Sequence, residues 1–111
     1  MITTHVLDTA RGRPAADVPV ALEKREGDLW LRLGAGSTDA DGRLRTLLPK
    51  DHLLLPGIYR ISFDTGAYFR ALQERGFFPE VGIVFELHEQ GGHYHVPLLL
   101  SPFGYSTYRG S

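Results

Sequence analysis

The chain has no cysteine among its 111 residues. That excludes disulfides, thiolate nucleophiles and cysteine-held metals. Nor does it have an excess of one charge. Its 12 lysines and arginines balance 13 aspartates and glutamates, for a formal net charge of −1. No basic surface is left for nucleic acid or anionic lipid, and neither is expected as a partner. No apolar run approaches the roughly 20 residues of a membrane-spanning helix. The opening Met1-Ile2-Thr3-Thr4-His5 lacks the basic and apolar regions of a secretory leader. A cytoplasmic location with no membrane partner is the expectation. Internal repeats, linkers, phosphate-binding glycine loops, nucleophile elbows and dinucleotide fingerprints are all missing. One domain spanning residues 1–111 is expected.

Glycine (13) and proline (7) are plentiful, as in chains built of short strands joined by turns. Residues 2–8 are rich in β-branched side chains and alternate Thr4 and Val6 against Thr3, His5 and Leu7. Similar alternation predicts strands over 18–25, 29–33, 43–47, 58–63, 81–89, 93–100 and 105–108. Pro19 suggests an edge position or a strand start. Gly34-Ala35-Gly36-Ser37 reads as irregular, and 49–57 as a loop. Thr38-Asp39-Ala40-Asp41-Gly42-Arg43 is a turn in which aspartates cap backbone amides and Gly42 supplies positive φ. Between 67 and 75 the period changes, with Asp64 or Thr65 as the amino cap and Gly76 as the carboxyl cap of a single two-turn helix. The fold class is therefore all-β. It is an antiparallel two-sheet β-sandwich of about eight strands with one short helix. Its expected core comprises Val6, Val20, Leu22, Leu31, Ile61, Phe63, Phe85, Tyr94, Val96 and Leu98.

Alternation turns His93 and His95 away from that core, and His5 likewise stands opposite Val6. The same outward faces carry Leu7, Pro97 and Leu99, which suits a subunit interface. Three uses of these histidines stay open: solvated or interface residues, metal ligands through His93-x-His95 with a third histidine, or acid–base groups that titrate near neutral pH. Arg43 alone suits a solvated turn. Residues 101–111 end in Tyr108-Arg109-Gly110-Ser111, a phenol, a guanidinium and a hydroxyl after an aromatic, β-branched run. Asp8 has no evident role.

Taken together, His5-Val6-Leu7-Asp8, Gly12-Arg13-Pro14-Ala15-Ala16, the Asp41-Gly42-Arg43 turn, His93-Tyr94-His95-Val96-Pro97 and the terminal tetrapeptide resemble the transthyretin-like family, in particular its 5-hydroxyisourate hydrolase branch. The resemblance covers essentially the whole chain. It implies a homotetramer, a dimer of dimers with two four-stranded sheets per subunit. It implies that 5-hydroxyisourate is the substrate, with hydrolytic ring opening to 2-oxo-4-hydroxy-4-carboxy-5-ureidoimidazoline in urate breakdown. It assigns His5, Arg43 and His95 to catalysis and Tyr108, Arg109, Gly110 and Ser111 to substrate binding, with no metal and no organic cofactor. The alternative on the same architecture is a thyroid-hormone-type carrier, which would need an apolar channel in place of these polar groups.

Overall fold

The computed structural model describes all of residues 1–111. Nine strands and one helix follow in chain order: β1 (Ile2–Asp8), β2 (Arg13–Pro14), β3 (Pro19–Glu26), β4 (Leu29–Ser37), β5 (Arg43–Leu44), β6 (Gly57–Phe63), α1 (Thr65–Ala71), β7 (Val81–Leu87), β8 (Tyr94–Ser101) and β9 (Gly104–Thr107). One sheet has the order β4-β3-β6-β7. The other runs β2-β1-β8-β9, with β5 also paired to β1. The two-residue strands β2 and β5 share one edge of β1, so this sheet holds five strands where the resemblance implied four. All ladders are antiparallel except β1–β8, which is parallel from Ile2 opposite Tyr94 to Asp8 opposite Leu100.

The core lies between the inner faces. Val6, Leu22, Ile61 and Leu98 are fully buried, and Val20, Phe63 and Val96 nearly so. Phe85 and Tyr94 pack against them from partly buried positions. Leu31 departs from expectation, at 56% exposed. It sits on the edge strand β4, opposite Lys24, and nothing apolar closes over it. The alternation also undercounts the core, because Tyr59, Tyr68, Phe69, Leu47 and Leu54 are buried too.

Pro19 opens β3, an inner strand, which satisfies the start reading and not the edge one. β4 does not stop at Leu33. It continues through Gly34-Ala35-Gly36-Ser37 as a paired strand, after a bulge opposite Leu22 and Glu23. β5 is shorter than expected, because the chain leaves β1 after Leu44. The helix begins as predicted: the Asp64 carboxylate accepts the Ala67 N–H at 2.9 Å. It ends early, at Leu72, where Gln73 takes φ +56 and the Gln73 and Glu74 amides close onto the Arg70 and Phe69 carbonyls. Gln73 rather than Gly76 thus provides the left-handed exit.

Asp8 also acquires a role. Its carboxylate is buried, accepts the Tyr68 hydroxyl of α1 at 2.6 Å and accepts the Arg11 amide at 3.0 Å. Burial and this carboxylate push the Tyr68 phenol well above the usual tyrosine range. Arg11 further pairs with Glu74 beyond the helix. The network locks the end of β1 to α1, which fixes the strand that carries His5.

Candidate active site

His5 lies on the outward face of β1 directly opposite Arg43 of β5, so the two side chains share one face of the ladder. The turn before β5 sets Arg43. The Asp39 carboxylate accepts the Asp41 and Arg43 amides, each at 2.9 Å. These bonds hold the Asp39 carboxyl below its ordinary range, first through the Arg43 amide. Gly42 takes φ +75, and a Cβ there would lie 2.4 Å from the Val6 carbonyl oxygen. Only glycine lets this turn lie against β1. The His5 Nε2 is 2.9 Å from the Asp41 carbonyl oxygen. A carbonyl only accepts, so the His5 proton sits on Nε2 whenever the ring is neutral.

His95, on β8, is half-buried and stands opposite Thr3. Its Nδ1 lies 2.8 Å from the Thr3 hydroxyl, and Nε2 of the exposed His93 lies 3.1 Å from the same oxygen. Burial pushes the His95 imidazole below the usual histidine range, and positive charge on Arg43, His5 and His93 pushes it the same way. A ring so placed is neutral at neutral pH and able to take a proton. Below the ordinary histidine value the unfolded chain binds a proton that the folded chain refuses. This group therefore makes stability fall as pH drops through that window, until the folded ring also titrates.

The terminal segment meets His95 from two sides. Gly110 donates its N–H to the His95 carbonyl at 2.8 Å. A Cβ on Gly110 would come within 2.5 Å of His95 Cδ2, so the missing side chain is what lets the backbone lie against the imidazole. Thr3, Arg43, Arg45, His93, His95 and Ser111 line a polar cleft of about 310 Å³. Tyr108 and Arg109 do not enter it. Both are exposed, and together with Phe85, Tyr94, Thr107 and His95 they line a neighbouring cleft of about 240 Å³. There the Arg109 guanidinium stacks 5.0 Å from the centre of the Tyr94 ring. His95 is the wall common to both clefts. Thus Arg43, His95, Gly110 and Ser111 come together, His5 joins through Arg43, and Tyr108 and Arg109 approach His95 from behind.

Sequence reasoning missed Thr3 and Arg45. Thr3 counted only as a β-branched strand former. Its available signal was the shared face with His5, two residues on, and Arg45 had the same spacing from Arg43. No three metal-donor side chains converge anywhere in the chain.

A model of the HIUase/Transthyretin family matches residues 2–110. The chain belongs to this family. The match runs nearly end to end. The chain is 46% identical over 111 residues to the 5-hydroxyisourate hydrolase of Salmonella typhimurium, covering 100% of this chain and 81% of that one. Two solved members of the HIUase/Transthyretin family superpose closely. The 5-hydroxyisourate hydrolase of Klebsiella pneumoniae gives a TM-score of 0.86 at 37% identity, covering 99% of this chain and 97% of that one. Sea bream transthyretin in complex with thyroxine gives a TM-score of 0.90 at 33% identity, covering 98% and 93%. The backbone is therefore common to the hydrolase and to the thyroxine-bound transthyretin, and the side chains at the site must separate them.

Proposed function

We propose that this chain hydrolyses 5-hydroxyisourate in urate breakdown, and that the cleft around His95 is where it does so. The activity rests on its likeness over the full chain to relatives named for that hydrolysis. The site rests on one observation above all: a half-buried imidazole held neutral beside a guanidinium, in a cleft with polar walls. A thyroid-hormone carrier needs an apolar lining, and His93, His95, Arg43 and Arg45 do not supply one.

The chemistry follows from the free atoms. Thr3 occupies Nδ1 of His95, which leaves Nε2 to take a proton from water as that water attacks a ring carbonyl. Arg43 faces the oxyanion that develops on the carbonyl oxygen. The carbon–nitrogen bond then breaks, and His5, beside Arg43, serves as the acid that gives a proton to the departing nitrogen. Ser111 orients the heterocycle within this cleft, Gly110 lies against the imidazole that faces it, and Tyr108 and Arg109 support that imidazole from the neighbouring cleft. Neither a metal nor an organic cofactor has a part in these steps.

The test is direct. When 5-hydroxyisourate is generated in place by urate oxidase, its ultraviolet signal decays faster in proportion to the amount of this protein added. Decay at the buffer rate would remove the activity.

We also propose a homotetramer, a dimer of dimers, working in the cytoplasm. The outer edges of β7 and β9 are unpaired, and both strands border the cleft that Tyr108 and Arg109 line. Val84 on β7 is 53% exposed. Open edges of this kind are ordinarily covered, here by a second copy. Sedimentation equilibrium is expected to return four times the 12.4 kDa chain mass, and a monomer would discard the assembly. A cysteine-free chain suits the reducing cytoplasm.

A further inference from the structure

The Thr3 side chain is unusual for an outward-facing strand position. It is 4% exposed, covered by two imidazoles that both reach its single oxygen, His95 Nδ1 at 2.8 Å and His93 Nε2 at 3.1 Å. A hydroxyl has one proton and two lone pairs. It can donate to one ring and accept from the other, so the three groups form a directional chain. We propose that Thr3 is a positioning residue which fixes the tautomer of His95 and relays its proton to His93. This inference rests on the reading of His95 as the base, and it adds two residues that the catalytic assignment leaves out.

The direction follows from the chemistry at the other end. A base at His95 Nε2 requires that nitrogen to carry a lone pair. The ring proton then sits on Nδ1 and is donated to Thr3 Oγ1. Thr3 in turn donates its own proton to His93 Nε2. When His95 takes a proton from the attacking water, its Nδ1 proton passes to Thr3 Oγ1 as the Thr3 proton passes to His93 Nε2. One O–H and one N–H break, and one N–H and one O–H form. The charge moves from the half-buried ring to the exposed one, and no other reactant is needed. The chain resets in reverse: the His93 Nε2 proton passes to Thr3 Oγ1 as the Thr3 proton passes to His95 Nδ1, and the His95 Nε2 proton leaves to solvent. The relay matters here because Arg43 stands beside His95, and an imidazolium retained next to a guanidinium in a confined cleft is disfavoured.

Three variants and one spectrum test this. Thr3→Val has nearly the shape of the native residue but no hydroxyl. Its kcat is expected to fall about 10- to 100-fold, less than loss of the base itself, with KM little changed. Thr3→Ser restores the hydroxyl and should return kcat to within about threefold of wild type. His93→Gln changes only an exposed ring and should lower kcat about tenfold, since an amide cannot accept the relayed proton. A Thr3→Val enzyme with wild-type kcat, a serine variant that fails to rescue, or a His93→Gln enzyme with wild-type kcat would each overturn the relay. The spectrum needs no substrate. Imidazole ¹⁵N shifts of the wild-type protein at neutral pH should show His95 protonated on Nδ1, and a proton on Nε2 would reverse the chain and sink the proposal. If wild-type protein leaves 5-hydroxyisourate untouched while the spectrum shows the Nδ1 tautomer, the functional reading fails and the relay geometry stands.

Discussion

His95→Ala is expected to lower kcat for 5-hydroxyisourate hydrolysis by about 10²–10⁴-fold, the usual contribution of a single general base. The fold should survive. The His95 side chain lies outside the apolar core, and its loss leaves Thr3 with His93 as a partner. One lost hydrogen bond of this kind costs about 1 kcal/mol, which lowers Tm of a domain this size by about 4 °C. Arg43→Glu should be as damaging to kcat for a different reason, since it sets a carboxylate where an oxyanion must develop. The wild-type pH profile offers an independent check. The base acts when neutral, and burial holds the ring below the usual histidine range. Turnover should therefore rise with pH through that lowered value, so its acidic limb should lie below the pH where an ordinary histidine titrates. The acidic limb should vanish from the residual activity of His95→Ala. Turnover within tenfold of wild type in that variant, measured by the same ultraviolet decay, would take His95 out of the mechanism.

Much of this site is legible in the chain, for a physical reason. Alternation is a local property, so it turns His5 and His95 outward without any knowledge of the partner strands. The Asp39 to Arg43 turn is likewise local, because aspartate caps and a left-handed glycine act within a few residues. What escapes is whatever depends on distant pairing. Thr3 is buried only because β8, about 90 residues away in sequence, lies parallel to β1 and brings two imidazoles over it. Asp8 has no role until Tyr68 arrives on α1. The terminal tetrapeptide reads as one pocket wall, whereas the Gly110–His95 backbone pairing splits it between two clefts. Leu31 fits the apolar face of β4 by period but lies at an edge that nothing covers. Periodicity reports which way a side chain points, and the opposite layer decides whether anything meets it.

Gly34→Ala is expected to be far more destructive than a single methyl group on a strand would suggest. Glycine weakens strands, which is why Gly34-Ala35-Gly36-Ser37 reads as irregular, yet Gly34 pairs with Leu22 and Gly36 with Val20. Their missing side chains admit Leu44 of β5 and the segment that follows it. A Cβ on Gly34 would lie 1.7 Å from the Leu47 carbonyl oxygen, and one on Gly36 would lie 3.1 Å from a Leu44 methyl carbon. The first of these is a backbone collision that no rotamer change relieves. Alanine at 34 must push the Leu47 backbone outward and withdraw the Leu47 side chain, which is 1% exposed, from the core. Losing a large buried aliphatic group costs about 2–5 kcal/mol, so Tm should fall by at least about 10 °C. Activity should fall with it, because Leu47 lies four residues beyond Arg43 and its displacement pulls on β5. Gly104→Ala is the control, since its new Cβ would meet only the Ser101 hydroxyl, at 3.8 Å, and should move Tm by no more than a few degrees. Thermal unfolding followed by circular dichroism decides between them. Equal midpoints for the two variants would mean that the chain after Arg43 does not pack across β4, and that the turn carrying Arg43 is held by Asp39 and Gly42 alone.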